Sequence, residues 1–455
     1  MKTITTTNPA NNKEIKEYTI HTAEEITRII SNAESAFQIN RKTSIEDRSS
    51  LMHIAADLLD ERKDMLARTM TNEMGKTYKS AQAEVEKCAW VCRYYADNAK
   101  DFLADELVES DASKSYISYQ PLGVVLAVMP WNYPLWQVFR FAAPALMAGN
   151  TALLKHASNV PESALQIEKI FTDAGFPKRS FSTLLIKSDA VKAILENDIV
   201  KAATLTGSGP AGEAVASIAG QNIKKTVLEL GGSDPYLILE DADLDHAAEQ
   251  CTTSRLLNAG QSCIGAKRFI AVEKIYDAFL QKFKDNMASA IMGDPMEDVA
   301  LGPMARYDLR DEVHQQVIDS VSNGAKLILG GEIPDGDGAY YPPTILTDVK
   351  PGMPAYADEI FGPVASVIKV KDEAEAIQVA NDTAFGLGSC VFTQDVKRGE
   401  QIAREELEAG CCFVNHYVKS DPRLPFGGIK TSGYGRELSY YGIREFVNVK
   451  TVYVK

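Results

Sequence analysis

Positive charge is in short supply in this sequence. Its 48 lysines and arginines face 62 aspartates and glutamates, a formal net charge of −14. A surface of that sign repels phosphate backbones, so a general nucleic-acid binder is excluded. Long apolar runs are missing as well. The densest stretch near the middle, Val124 to Met129, falls far short of the roughly 20 residues that cross a bilayer. Met1-Lys2-Thr3-Ile4-Thr5-Thr6-Thr7 lacks the apolar core of about 7–15 residues that marks a secretion leader. No membrane partner is expected, and the expected compartment is the cytoplasm. Cysteine is sparse: seven, an odd number at scattered spacing, do not form a disulfide framework. No Cys/His set has zinc-ligand spacing, so no metal is expected. Most of the thiols, such as the helically spaced Cys88 and Cys92, read as small core hydrophobes.

What is present suits a large globular chain. At 455 residues and 45% hydrophobic content, two to three domains of about 100–200 residues each are expected. The first hundred residues read as mainly helical. Thr22-Ala23-Glu24-Glu25 fits a capping box, followed by Ile26, Ile29, Ile30, Ala33 and Phe37 at helical spacing. Ser44 with Asp47 signals a second helix start. From about residue 113 short apolar runs alternate with helical stretches. The runs are Tyr116–Tyr119, Val124–Val128, Thr151–Leu154, Phe181–Ile186, Ala202–Leu205 and Thr226–Leu230. A second series holds Phe269–Val272, Ala365–Val370, Ser389–Phe392 and Cys411–Val414. Strands of this kind separated by helices imply parallel βαβ units, and two α/β domains sharing a cleft are the economical arrangement.

Three segments carry chemistry. Gly207-Ser208-Gly209-Pro210-Ala211-Gly212 is a G-x-G-x-x-G between a strand and a helix, which fits a dinucleotide pyrophosphate at a helix N-terminus or a turn that merely needs glycine. Glu229 follows at the distance of a ribose-binding acid. Asn258-Ala259-Gly260-Gln261-Ser262-Cys263 sets a thiol at a glycine-rich turn, which is not how core filling is placed. Pro130-Trp131-Asn132-Tyr133-Pro134 ends one apolar strand and Leu228-Glu229-Leu230-Gly231-Gly232 another, and strand ends are where open α/β sheets bind ligands.

Together these segments resemble the aldehyde dehydrogenase superfamily. The likeness runs from Asn72-Glu73-Met74-Gly75-Lys76 through Glu359-Ile360-Phe361-Gly362-Pro363 to Pro425-Phe426-Gly427-Gly428-Ile429-Lys430 and Ser432-Gly433-Tyr434-Gly435-Arg436-Glu437. The resemblance implies an α/β fold with a Rossmann-like cofactor domain, an α/β catalytic domain and a small β oligomerisation extension. The expected boundaries are 1–102 and 122–228 for the cofactor domain, 229–435 for the catalytic domain, and 103–121 with 436–455 for the extension. It implies Cys263 as nucleophile, Glu229 as the acid that activates water, and Asn132 with the Cys263 amide as oxyanion donors. Trp131, Lys155, Gly207, Ser208, Leu230, Glu359 and Phe361 fall at cofactor positions. Glu229 thereby moves from ribose ligand to base. A homodimer or homotetramer is implied, because family members bury the strands of the extension against a partner.

The chemistry explains these residue types. A free aldehyde is a poor hydride donor, whereas a thiolate adduct is a good one. An ordinary cysteine has a pKa near 8.5, so surroundings that favour the thiolate are expected. The acid at Glu229 favours hydrolysis of the thioester over transfer to coenzyme A.

Many NAD-preferring relatives carry an acid three residues after the lysine that corresponds to Lys155. Ser158 stands there, which favours NADP, with NAD as the alternative and helix capping as the competing role. Arg140, eight residues after Asn132 on a helix expected to start there, is the candidate partner for a substrate carboxylate, with an ion pair as the competing role. Ser420 and Tyr133 fall at other substrate positions. These details look similar to a succinate-semialdehyde dehydrogenase subgroup, with glutarate semialdehyde and uncharged aldehydes as neighbours. Thioester hydrolysis without cofactor, a non-catalytic cofactor binder and a conventional alcohol dehydrogenase are the rival readings.

Overall fold

The computed structural model describes residues 2–455. The chain opens on an antiparallel hairpin, Thr3–Asn8 paired with Lys13–Thr19, where the sequence was read as helical. Threonine and charge at alternate positions hide this hairpin from an apolar-run search, and only Ile4, Thr6 and Tyr18 turn a buried side inward. Helices follow over Ala23–Asn40, Ile45–Glu61, Lys63–Met74 and Tyr78–Phe102. Thr22 and Glu25 form the expected capping box, and Ser44 caps the second helix through the Asp47 amide.

A six-stranded sheet comes next. Its order is Gly433–Tyr434, Lys225–Glu229, Val200–Thr206, Val124–Met129, Thr151–His156 and Phe181–Thr183. All but the short Gly433–Tyr434 strand run parallel, as continuous β-branched and leucine runs covered on both faces require. In register, Val128 lies beside both Lys155 and Leu205, and Thr206 beside Glu229. Pro130, Lys155, Gly207 and Glu229 therefore emerge at one edge of one sheet.

A second sheet has seven strands in the order Lys326–Leu329, Thr344–Thr347, Val364–Val370, Arg268–Val272, Pro235–Ile238, Gly388–Phe392 and Cys411–Val414. Only its first strand is antiparallel. Val447–Val454 pairs antiparallel with Lys114–Pro121, and Glu106–Leu107 completes a three-stranded ribbon.

The helix Trp136–Met147 is buried along its whole length, Gln137 and Arg140 included. It starts four residues after Asn132, not at it. Pro134 disfavours helix at Tyr133, and the amides of Leu135 and Trp136 instead donate to Glu84 Oε1 at 2.9 Å each. Glu84 is itself held by the buried Lys76. The helix Pro161–Asp173 is entered the same way: Glu73 accepts from the amides of Glu162 and Ser163 at 2.8 and 3.0 Å. Ser158 makes no cap there.

Candidate active site

The loop before Cys263 is wound left-handed, with φ of 55°, 53° and 74° at Asn258, Ala259 and Gly260. A Cβ on Gly260 would lie 2.2 Å from the carbonyl carbon and oxygen of Gly362, so the Phe361-Gly362-Pro363 segment packs on bare backbone. Buried cations gather the loop's carbonyls. Arg255 donates to Gly260 O at 2.5 Å and Ala266 O at 2.7 Å, and Lys267 to Ser262 O at 2.9 Å and Cys263 O at 2.6 Å. With the carbonyls held on that side, the Cys263 amide has no acceptor among the described residues. Asn132 reaches the same turn: its Nδ2 donates to Gln261 O at 3.2 Å, and Asn258 Nδ2 donates to Asn132 O at 2.8 Å. An unspent backbone N–H and a side-chain amide thus converge beside the thiol.

Glu229 ends its strand fully buried, with neither carboxylate oxygen hydrogen-bonded among the described residues. Gly427 makes room for it, since a Cβ there would lie 2.7 Å from Glu229 Oε1. Burial raises the Glu229 carboxyl well above the usual carboxylate range, with Arg140 opposing and Glu437 adding to the rise. Burial likewise pushes the Cys263 thiol up to about 12, against the pull of Arg140 and Lys267. The expectation that these surroundings favour the thiolate is therefore corrected for the free chain. Desolvation outweighs two nearby cations, and the thiol keeps its proton at neutral pH.

Cys263 lies in the wall between two cavities of about 260 Å³ each. One is lined by Pro130, Trp131, Asn132, Gly207, Ser208, Glu229, Leu230, Glu359 and Phe361. All but Lys155 and Ser158 of the residues expected to meet a cofactor fall here. Trp131 and Phe361 meet edge to face at 5.8 Å. The glycines of the motif differ in purpose: Gly209 has open space around it, while a Cβ on Gly212 would lie 2.6 Å from Leu230. Glu359 accepts from the Gly232 amide at 3.0 Å and pairs with Lys267 at 3.3 Å. Lys155 and Ser158 sit outside this cavity, at and beyond the end of their strand. Lys155 is half-buried without a carboxylate partner among the described residues, and Ser158 is exposed.

The second cavity is lined by Lys87, Tyr133, Trp136, Arg140, Ser420 and Phe426 as well as Cys263. Arg140, expected to offer a free charge, does not. Its guanidinium is paired with the buried Glu437 and lies over the Phe426 ring at 4.8 Å. A fully buried helix cannot leave a guanidinium uncompensated, which is why the ion pair wins. Lys87 was missed by sequence reasoning. It stands three residues after Glu84 on the same helix face, which is the only signal that could have drawn it toward the site. Glu437, Lys267 and Arg255 were missed likewise: Glu437 meets Arg140 and Lys267 meets Glu359 from far along the chain, and the bonds of Lys267 and Arg255 to nearby carbonyls follow from the fold of the loop and not from a motif.

A family model for the aldehyde dehydrogenase family matches residues 1–452. The chain is 52% identical over 456 residues to succinate-semialdehyde dehydrogenase (NADP(+)) 1 of Mycobacterium ulcerans, covering 99% of each chain. It is 50% identical over 452 residues to a probable succinate-semialdehyde dehydrogenase (NADP(+)) of Synechocystis, again covering 99% of each. Among solved structures it is similar to succinic semialdehyde dehydrogenase from Streptococcus pyogenes in complex with NADP+, with a TM-score of 0.97, 39% identity and 99% of each chain covered.

Proposed function

The chain belongs to the aldehyde dehydrogenase family, and from that premise we propose that it oxidises succinate semialdehyde to succinate with NADP. The observation that carries this reading is the thiol of Cys263 in the wall shared by two cavities, with Glu229 opening onto one and Lys87, Arg140 and Ser420 onto the other. An aldehyde entering the second cavity meets the thiol on one side, and a hydride acceptor in the first meets the adduct on the other.

Cys263 Sγ adds to the aldehyde carbon, and its proton leaves the buried site as the thiohemiacetal forms. The oxyanion so created is met by the Asn132 side-chain amide and the unspent Cys263 N–H, a contribution of about 2.7–4 kcal/mol per donor in comparable sites. NADP, when bound, supplies the hydride acceptor. Glu229, once ionised, takes a proton from the water that attacks the thioester, and succinate leaves Cys263.

Gly207 and Ser208 at the start of the helix Gly209–Gln221, the Trp131–Phe361 pair, Leu230 and Glu359 would hold the cofactor. The unpaired Lys155, with Ser158 beyond it, supplies charge and a hydroxyl for a 2′-phosphate, and the capping role that competed for Ser158 is taken by Glu73. The names of the relatives favour the same cofactor.

In this reading residues 1–102 and 122–228 form the cofactor domain, 229–435 the catalytic domain, and 103–121 with 436–455 the extension. The outer face of that ribbon leaves Val449 and Tyr453 about half exposed, which supports a homodimer or homotetramer. No helix of the described residues is long and apolar enough to cross a membrane.

The test is reduced-nicotinamide absorbance with succinate semialdehyde, glutarate semialdehyde and butanal, each with NADP and with NAD. Fastest turnover of succinate semialdehyde with NADP is expected. Equal rates on the three aldehydes would remove the substrate assignment, and faster turnover with NAD would remove the Ser158 argument.

A further inference from the structure

Among the described residues only two line both cavities, Cys263 and Gln137. Gln137 therefore stands in the same dividing wall as the thiol. On the buried helix Trp136–Met147 it and Arg140 interrupt an otherwise apolar and aromatic run. Arg140 has its partners: it pairs with Glu437, and its Nη2 donates to Thr206 Oγ1 at 3.3 Å. Gln137 does not. It is 2% exposed, and its Oε1 accepts no hydrogen bond among the described residues. A methionine of the same length would fill the place without burying an unpaired acceptor. Both oxygens of Glu229, in the lining of the first cavity, are enclosed without a donor as well. Asn132 Oδ1 shares that condition, but its amide is committed through Nδ2 to the turn that holds the thiol. Unpaired acceptors from two elements around one thiol suit a ligand that carries two protons on one oxygen, which is water.

We propose that Gln137 holds the water that hydrolyses the acyl group on Cys263, accepting one proton at Oε1 while Glu229 removes the other. The inference rests on the reading of Cys263 as nucleophile and Glu229 as base. The water oxygen bonds to the acyl carbon as one of its protons passes to the Glu229 carboxylate. The bond from carbon to sulfur then breaks, and the sulfur leaves as thiolate. The second proton stays on the new carboxyl group, still donated to Gln137. Held at both protons, the water keeps a lone pair aimed at the acyl carbon. Attack of the thiol on a carbonyl involves no such water, so Gln137 acts on hydrolysis and not on acylation.

The experiment uses p-nitrophenyl acetate, which acylates a thiol without cofactor and whatever the natural aldehyde is. Nitrophenolate release after rapid mixing measures acylation, and mass spectrometry of the quenched intact protein measures loss of the acetyl group. Wild type, Gln137→Met and Gln137→Glu are compared. Gln137→Met should acylate within about twofold of wild type and lose the acetyl group at least about tenfold more slowly, the worth of one hydrogen bond. Gln137→Glu keeps an acceptor oxygen and should restore part of the hydrolysis. The thermal midpoint of Gln137→Met should not fall, because no paired group is removed. Loss of acetyl from Gln137→Met at the wild-type rate overturns the proposal. So does equal slowing of both steps, which marks a donor to the oxyanion, and so does a variant that unfolds, which marks a structural side chain. A wild type that takes up no acetyl group is a different result: it removes the nucleophile reading, and the proposal with it.

Discussion

At the scale of single residues the site is defined by protons held too tightly. Burial raises both Glu229 and Cys263 toward their neutral forms, and in the proposed reaction each gives up its proton. Glu229→Gln cannot take a proton from water, so kcat should fall about 10²- to 10⁴-fold while the acyl group stays on Cys263. Mass spectrometry of the intact protein after mixing with substrate and NADP checks this by the added acyl mass. A raised carboxyl ionises only as pH rises, so kcat should climb with pH from the acid side, which steady-state kinetics across pH measures. A third check is chemical: alkylation of Cys263 in the free protein should accelerate about tenfold per pH unit through neutrality, since only the thiolate reacts.

Secondary-structure elements place these residues, and two buried acids do much of the placing. Glu84 joins Lys76 to the amides that begin the helix Trp136–Met147, and thereby sets the turn that carries Asn132. Glu84→Gln leaves Lys76 buried without its counter-charge, a cost of about 3–5 kcal/mol. A lower thermal midpoint is expected, together with a loss of kcat as the Asn132 amide shifts. Gly260 is the corresponding point on the other side of the thiol. Its left-handed backbone, and the Gly362 carbonyl against it, leave no space for a methyl group. Much of this was open to sequence reasoning in kind but not in partner. The capping box at Thr22, the β-branched parallel strands and the glycine turn before Cys263 follow from local chemistry. That Glu73 and Glu84 are caps for helices far along the chain does not, because a cap across 51 or 89 residues leaves no local pattern.

For the whole molecule, the arrangement of two sheets decides what the active-site thiol faces. The first sheet presents Pro130, Gly207 and Glu229 at one edge, and the loop leading from the helix Leu244–Leu256 to the strand Arg268–Val272 of the second brings Cys263 to them. The ribbon of Val447–Val454 and Lys114–Pro121 lies apart from this, and its exposed valine and tyrosine are candidates for burial against another copy. Val449→Asp with Tyr453→Asp should lower the mass of the particle in solution, measured by light scattering. An unchanged mass would place the subunit contact elsewhere.

The sequence by itself determined the family, and it singled out Cys263, Glu229 and Asn132 as candidates, since each lies in a short segment whose residue types answer to local geometry. Only the tertiary structure decided which charges are free. Arg140 and Lys87 are both basic residues within helices, yet one is neutralised by Glu437 from almost 300 residues away and the other faces a cavity with a hydroxyl for company. Whether a buried charge is spent depends on what the fold sets against it, and pairings at that separation are written in packing, not in spacing.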